Sequence, residues 1–448
     1  MHTMSTQAKL ASEAPVAVAI SVLAMLLLPF TAVAGEQPPY KPLVAPLTKD
    51  PTTSLYTIAI KNDAPLVVDL AGSLVWSTCP SSHSAVPCQS GACRAANEQR
   101  PRRCRYVDAG WFGASREPAG GCACTGSPVN PVTGECSTGD LTSFAMSANA
   151  TDGRSALHPV ELPAVVGSCA PERLLRSLPA GAAGVAGFSR RPLSLPSQLA
   201  ARRAFGNKFA LCLPGAAVFG DTPVVLAPYL PNLTAAIPYA PLLRHPRNGA
   251  HYLPVKRIAV HWDQAVEVPL PAGALDLDAG TGRGGVALST VTPYMAMRRD
   301  VHRAFVKAYD TAVRGKSYAV ERVAAVRPFE LCYNGGTLRP QKRFGLDAPS
   351  ISLEVEGAAP APARPWWVPS ANYLVSVGGG VVCAGVVEMA QAAAAEEEDE
   401  PAMVIGGMQM ENHLVVLDLD KGEVGFSDLL WYMGTSCSAF NFSGATST

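Results

Sequence analysis

Thirty-nine prolines and thirty-nine glycines are spread along the 448 residues of the chain and leave few stretches that can wind into a long helix. Proline lacks the amide hydrogen a helix interior needs, and glycine loses more backbone freedom than any other residue when fixed there. Between these breaks lie short β-branched runs, at Leu55 to Ile60, Leu66 to Val68, Pro223 to Leu226, Arg257 to Val260 and Ile351 to Val355. Runs of that length bounded by turn residues read as strands, so a mostly β protein is expected. The clearest helix is predicted from Asp300 to Val313, where Val301, Ala304, Phe305, Ala308, Tyr309 and Ala312 share one face and Gly315 is a natural stop. A shorter one is predicted to start at Leu195-Pro196, with proline in its first turn.

A chain this long exceeds what one hydrophobic core serves, so at least two lobes are expected. Lys plus Arg and Asp plus Glu number 36 each, and the balance gives no global field to attract nucleic acid or an anionic membrane. The basic run from Arg100 to Arg105 contains Pro and Cys and reads as a solvated loop.

Near the N-terminus, Lys9 precedes an apolar run from Val16 to Phe30, followed by Ala32-Val33-Ala34. This reads as a secretory signal peptide over 1–34, the apolar run being short for a membrane span. Export to an oxidising compartment makes disulfides the economical use of all twelve cysteines: Cys79, Cys88, Cys93, Cys104, Cys122, Cys124, Cys136, Cys169, Cys212, Cys332, Cys383 and Cys437. Eight of these precede residue 170, as though loops were stapled onto a sheet scaffold. A zinc site built on Cys122 and Cys124 competes with this reading, but no second pair or histidine stands at ligand spacing. Sequons at Asn149, Asn232 and Asn441 are candidate glycan sites.

The proline-rich segment 227–247 looks like the crossing between lobes placed at 35–230 and 231–448. An alanine run meeting Glu396 to Glu400, within 390–401, reads as a surface insertion, because like charges packed so closely resist burial. Duplication shows only faintly: Pro65 to Gly72 and Gly285 to Val291 are each a buried-looking strand running into a small-residue turn.

Asp69 followed seven residues later by Trp76 resembles the first active-site loop of pepsin-like proteases, with Leu70 and Ala71 in place of Thr and Gly. Met403 to Ser427 resembles the closing strands of that fold. Jointly with Asp69 to Cys79, the segments Asn130 to Gly134, Gly139 to Leu141, Cys169 to Pro171, Phe209 to Leu213, Ser289-Thr290 with Pro293-Tyr294, and Pro328 to Tyr333 are similar to the plant xylanase inhibitors of the TAXI type. Related seed basic globulins and extracellular glucanase inhibitors share the pattern. The resemblance implies a mostly β, bilobal pepsin-like fold, a secreted monomer without cofactor or metal, and a microbial xylanase or glucanase as partner.

Ser289 aligns with the second catalytic aspartate of the proteases, leaving Asp69 without the second carboxylate that would share its proton. Asp278-Ala279-Gly280-Thr281 is the competing register for that second acid and would support residual endopeptidase activity. A non-inhibitory extracellular binding protein is the remaining alternative. In the inhibitors, loops after the Ser-Thr pair and before the last cysteine plug a glycosidase cleft, the second with a histidine. Here the corresponding candidates are Thr292 and Leu430, Trp431, Tyr432 and Met433, with no histidine among them. His413 reads as a structural residue, and Trp366-Trp367 as a strand pair partly buried.

Overall fold

The computed structural model describes residues 41–61, 64–99, 105–106, 122–341, 345–358, 362–390 and 400–443. The expected leader, Cys104, most of the basic run and 391–399 of the acidic segment lie outside the described residues.

Strands dominate, as expected. A thirteen-stranded sheet starts at the strand Tyr239–Pro241 and passes through Glu423–Phe426, Leu414–Asp418 and Lys208–Cys212. It continues through Ala216–Phe219, Leu43–Lys49, Tyr56–Ile58 and Leu66–Asp69 to the long hairpin Gly139–Thr151 and Ala156–Cys169. Two strands from the end of the chain are therefore built into the sheet of its first half, Leu414–Asp418 pairing antiparallel with Lys208–Cys212. A six-stranded sheet carries the second half's inner strands, among them Val286–Leu288, Met295–Met297 and Met403–Ile405.

The faint duplication of the sequence is a structural repeat. Leu66–Asp69 runs parallel to Gly184–Gly187, which pairs antiparallel with Val75–Ser77. Val286–Leu288 likewise runs parallel to Met403–Ile405, which pairs antiparallel with Met295–Met297. All four residues of Leu66–Asp69 and all three of Val286–Leu288 are buried, because each strand has a neighbour on both edges and packing on both faces. One apolar core runs through both halves, holding Val68, Phe188 and Phe209 together with Leu288, Phe305 and Trp366.

The helix Arg299–Arg314 buries Val301, Phe305, Ala308, Tyr309 and Ala312, the face its spacing marks out, and His302 as well. The helix Leu195–Arg203 has proline in its first turn and ends at Ala204 in the left-handed region. Segment 223–226 is a correction: it is not a strand. Val224 and Leu226 are buried, but the local amides are engaged outside any ladder, Val224 N donating to Asn232 Oδ1 and Val225 N to the Gly153 carbonyl. Hydrophobic burial is retained there without a ladder partner, which period and composition alone do not distinguish.

Five disulfides join Cys79 to Cys169, Cys88 to Cys122, Cys93 to Cys124, Cys212 to Cys437 and Cys332 to Cys383. Cys136 is disulfide-bonded too, and no described cysteine is free. Cys122 and Cys124 are thus committed to separate bridges, which overturns zinc ligation by that pair.

Candidate functional site

The two repeated motifs each end in a loop with the same wiring. At the end of Leu66–Asp69, the Asp69 carboxylate accepts the Ala71 amide at 2.9 Å, and the Gly72 amide also acts on it. After Val286–Leu288, the Ser289 hydroxyl accepts the amides of Val291 at 3.3 Å and Thr292 at 3.1 Å. In both loops a side chain accepts the N–H group two residues on; the N–H three residues on is bonded to the Ser289 hydroxyl in the second loop and, at 3.1 Å, to the main-chain carbonyl of Asp69 in the first. Gly187, the last residue of the neighbouring strand in the first motif, and Gly406, the residue just after that strand in the second, carry the second mark of equivalence. A Cβ on Gly187 would stand 2.3 Å from the Gly72 oxygen and 2.6 Å from that of Leu74. One on Gly406 would stand 2.6 Å from the Thr292 oxygen and 2.4 Å from that of Tyr294. These oxygens sit three and five residues after Asp69 and Ser289 respectively, so the close approach that only glycine permits is repeated atom for atom.

Thr290 ties the loops together. Its hydroxyl, fully buried, donates to the Val68 carbonyl at 2.6 Å and accepts the Leu70 amide at 3.3 Å. The residue equivalent to Thr290 in the first loop is Leu70, which is fully buried in the core and has no hydroxyl to return the contact. Half of a reciprocal arrangement is present. Sequence reasoning found the missing half at Leu70 and overlooked the half that Thr290 keeps.

Asp69 is 7% exposed, and burial pushes its carboxyl up to about 6 against the opposing pull of the Ala71 and Gly72 amides. Ser289 is half-buried and its hydroxyl is also bonded to Thr292 Oγ1 at 3.0 Å. A carboxyl and a neutral hydroxyl at the paired positions cannot share a proton as two carboxyls do. Asp278 does not join them: it is exposed and caps its own turn, accepting from Gly280 N, Thr281 N and Thr281 Oγ1. Those bonds hold its carboxyl below the usual range.

Before the last disulfide, Leu430–Met433 forms a single 3-10 turn. Leu430 is fully buried among Leu414, Val416 and Cys437, which corrects its candidacy as a contact residue: on so short a turn one side chain must anchor the rest. Trp431 is 37% and Tyr432 57% exposed, Met433 is half-buried against the same cluster, and Thr292 has its side chain spent on Ser289. Tyr229, which the sequence reading passed over, stands beside this turn, its hydroxyl donating to the Gly434 carbonyl at 2.7 Å. Its place in the proline-rich stretch Ala227-Pro228-Tyr229 was the available signal.

His413 is buried, bonded through Nδ1 to the Ser427 carbonyl at 2.9 Å and packed edge-on against Trp366, the structural role expected of it. Trp366 is buried and Trp367 exposed. Cys79, His83 and Cys169 bring potential metal-ligand atoms together, but both sulfurs are consumed in one disulfide and offer no thiolate. Of the sequon residues Asn441 is exposed, while Asn149 and Asn232 are half-buried, Asn232 capping the helix Leu233–Ala236.

Residues 55–221 match the family described as xylanase inhibitor N-terminal and residues 250–428 the one described as xylanase inhibitor C-terminal. The chain is 40% identical to a protein of Oryza sativa subsp. japonica named Chitinase CLP, over 90% of this chain and 92% of that one. It is 30% identical to gamma conglutin 1 of Prunus dulcis, over 91% and 90%. The solved structure of edgp superposes with a TM-score of 0.78 at 29% identity, covering 91% of this chain and all of that one.

Proposed function

The chain belongs to the xylanase-inhibitor family of bilobal pepsin-like proteins, and from that premise we propose that it is an exported, non-proteolytic protein that binds and occludes a microbial cell-wall glycosidase, xylanase first. The observation that carries this reading is the exposed pair Trp431 and Tyr432 on a turn anchored by Leu430 and followed by the Cys212–Cys437 bridge. A rigidly held aromatic pair is the kind of anchor that fills a partner's pocket at low entropic cost, and a glycosidase cleft is shaped to take flat sugar rings. With no histidine on the turn, the contact with the two cleft carboxyls would be steric and apolar rather than ionic. Ser289 in the place of a second acid supports the absence of proteolysis.

One finding favours a second reading, glycan hydrolysis: the rice protein 40% identical to this chain is named a chitinase. A carboxyl held at about 6, such as Asp69, has the protonation a general acid needs under mildly acidic conditions.

The deciding experiment assays the purified protein against fungal and bacterial xylanases and endoglucanases, with colloidal chitin and, at acid pH, casein as substrates. Inhibition of one glycosidase class, lost in the double variant Trp431→Ala/Tyr432→Ala and kept in Asp69→Asn, is the expected result. Release of sugar from chitin that disappears in Asp69→Asn would select hydrolysis instead, and casein cleavage with the same sensitivity would overturn the reading of Ser289.

A further inference from the structure

We infer that the surface depression between Tyr229 and Trp431 is a binding subsite for a neutral oligosaccharide. It has a volume of about 670 Å³, within the size range of small-ligand sites, and is walled by 226–229 on one side and by Trp431 and 434–436 on the other. Four aromatic side chains are exposed among the described residues, and two of them, Tyr229 and Trp431, line this depression. Tyr229 is 68% exposed, a large apolar face to leave in water without a ligand to cover it.

Two properties choose the ligand class. Among the described residues, no acidic, basic or imidazole side chain lines the depression, so they offer nothing to select an ion. What lines it instead is the two aromatic residues Tyr229 and Trp431 among aliphatic ones, with the hydroxyl-bearing Thr435 and Ser436 beside them. A pyranose matches both, presenting its axial C–H groups to an aromatic face and its hydroxyls to neutral donors and acceptors at the rim.

The walls are held in place before any ligand arrives. Tyr229 is pinned through its hydroxyl to the Gly434 carbonyl, and Gly434 lies at φ +74, in the left-handed region where glycine is favoured. The Leu430 amide donates to the Asn412 carbonyl at 2.8 Å and the Thr435 amide to the Leu430 carbonyl at 3.1 Å. Cys437 then bonds the end of the turn to Cys212. Little ordering is left to oppose binding.

The inference does not depend on glycosidase inhibition, because it is tested on the full chain alone. Titration with chitotetraose, xylotetraose and cellotetraose, followed by calorimetry and tryptophan fluorescence, should give saturable binding of at least one. The three arms distinguish an N-acetylated from a plain backbone. Trp431→Ala and Tyr229→Ala should each weaken binding about tenfold or more, the order expected for loss of one stacking ring. Trp367→Ala, an exposed indole elsewhere, should stay within about threefold of wild type, and Tyr229→Phe, which keeps the ring but loses its bond to the Gly434 carbonyl, should fall between the wild type and Tyr229→Ala. Absence of saturable binding by the wild-type protein to all three sugars overturns the inference, as does binding that survives both alanine variants. If Trp431→Ala abolishes xylanase inhibition while the wild type binds no sugar, the depression belongs to a protein contact and the inference fails.

Discussion

Asp69 has a raised folded-state pKa, about 6 against 3.8, so its contribution to stability is present below pH 3.8 and is lost as pH rises through 6. At pH 7.5 the ionised, buried group costs the fold about 3 kcal/mol. Asp69→Asn, which keeps an acceptor for the Ala71 amide, should therefore stabilise the protein by up to that amount at pH 7.5 and not at all near pH 3.5. Urea unfolding at the two pH values checks it. His251 and His413 titrate the other way. Both are buried and held at about 4 from 6.5, so each contributes stability above pH 6.5 that is lost as pH falls through 4. At about 3 kcal/mol apiece the two histidines outweigh Asp69. The wild type should lose stability between pH 6.5 and 4, and Asp69→Asn should lose it more steeply. Thr290→Val leaves the buried Val68 carbonyl and Leu70 amide without the hydroxyl that serves both, and should cost about 1–3 kcal/mol by the same unfolding assay.

The repeated strand-loop-strand unit is set by two glycines whose surroundings are backbone. At Gly187 and Gly406 the atoms that a Cβ would strike are main-chain oxygens at 2.3 and 2.4 Å, which cannot swing aside as a side chain would. Gly187→Ala and Gly406→Ala should each cost at least the upper part of the about 1–3 kcal/mol usual for overpacking. Gly91→Ala, with nothing within 4 Å, should be close to neutral. Differential scanning calorimetry of the three variants makes the comparison. Legibility at this scale followed periodicity: the helix Arg299–Arg314 was readable because its buried side chains recur at one helical face. The run 223–226 was misread because apolar composition reports burial, whereas strand pairing depends on which neighbour offers a ladder, and here Asn232 and Gly153 take the amides.

Across the whole molecule, the Cys212–Cys437 bridge spans 225 residues and fastens the end of the chain to the sheet of its first half. Replacing both cysteines by serine should cost about 2–5 kcal/mol and lower the melting temperature. It should also weaken glycosidase inhibition and sugar binding together, because the turn bearing Trp431 loses its tether. The sequence by itself determined the β-rich class through its proline and glycine spacing. It also determined the first loop through Asp69 and Trp76, and the commitment of cysteines to bridges through their number and context. These are local or countable properties, carried by neighbouring residues or by composition. The tertiary structure alone decided that Thr290 grips the strand of Asp69 at Val68, 222 residues away, that Ser289 repeats the wiring of Asp69, and that Leu430 turns inward while Trp431 faces out beside Tyr229. Each of those facts is a contact between distant segments or the direction of a side chain on a short turn. Neither has a period in the sequence, because both are set by which surfaces the folded halves bring together.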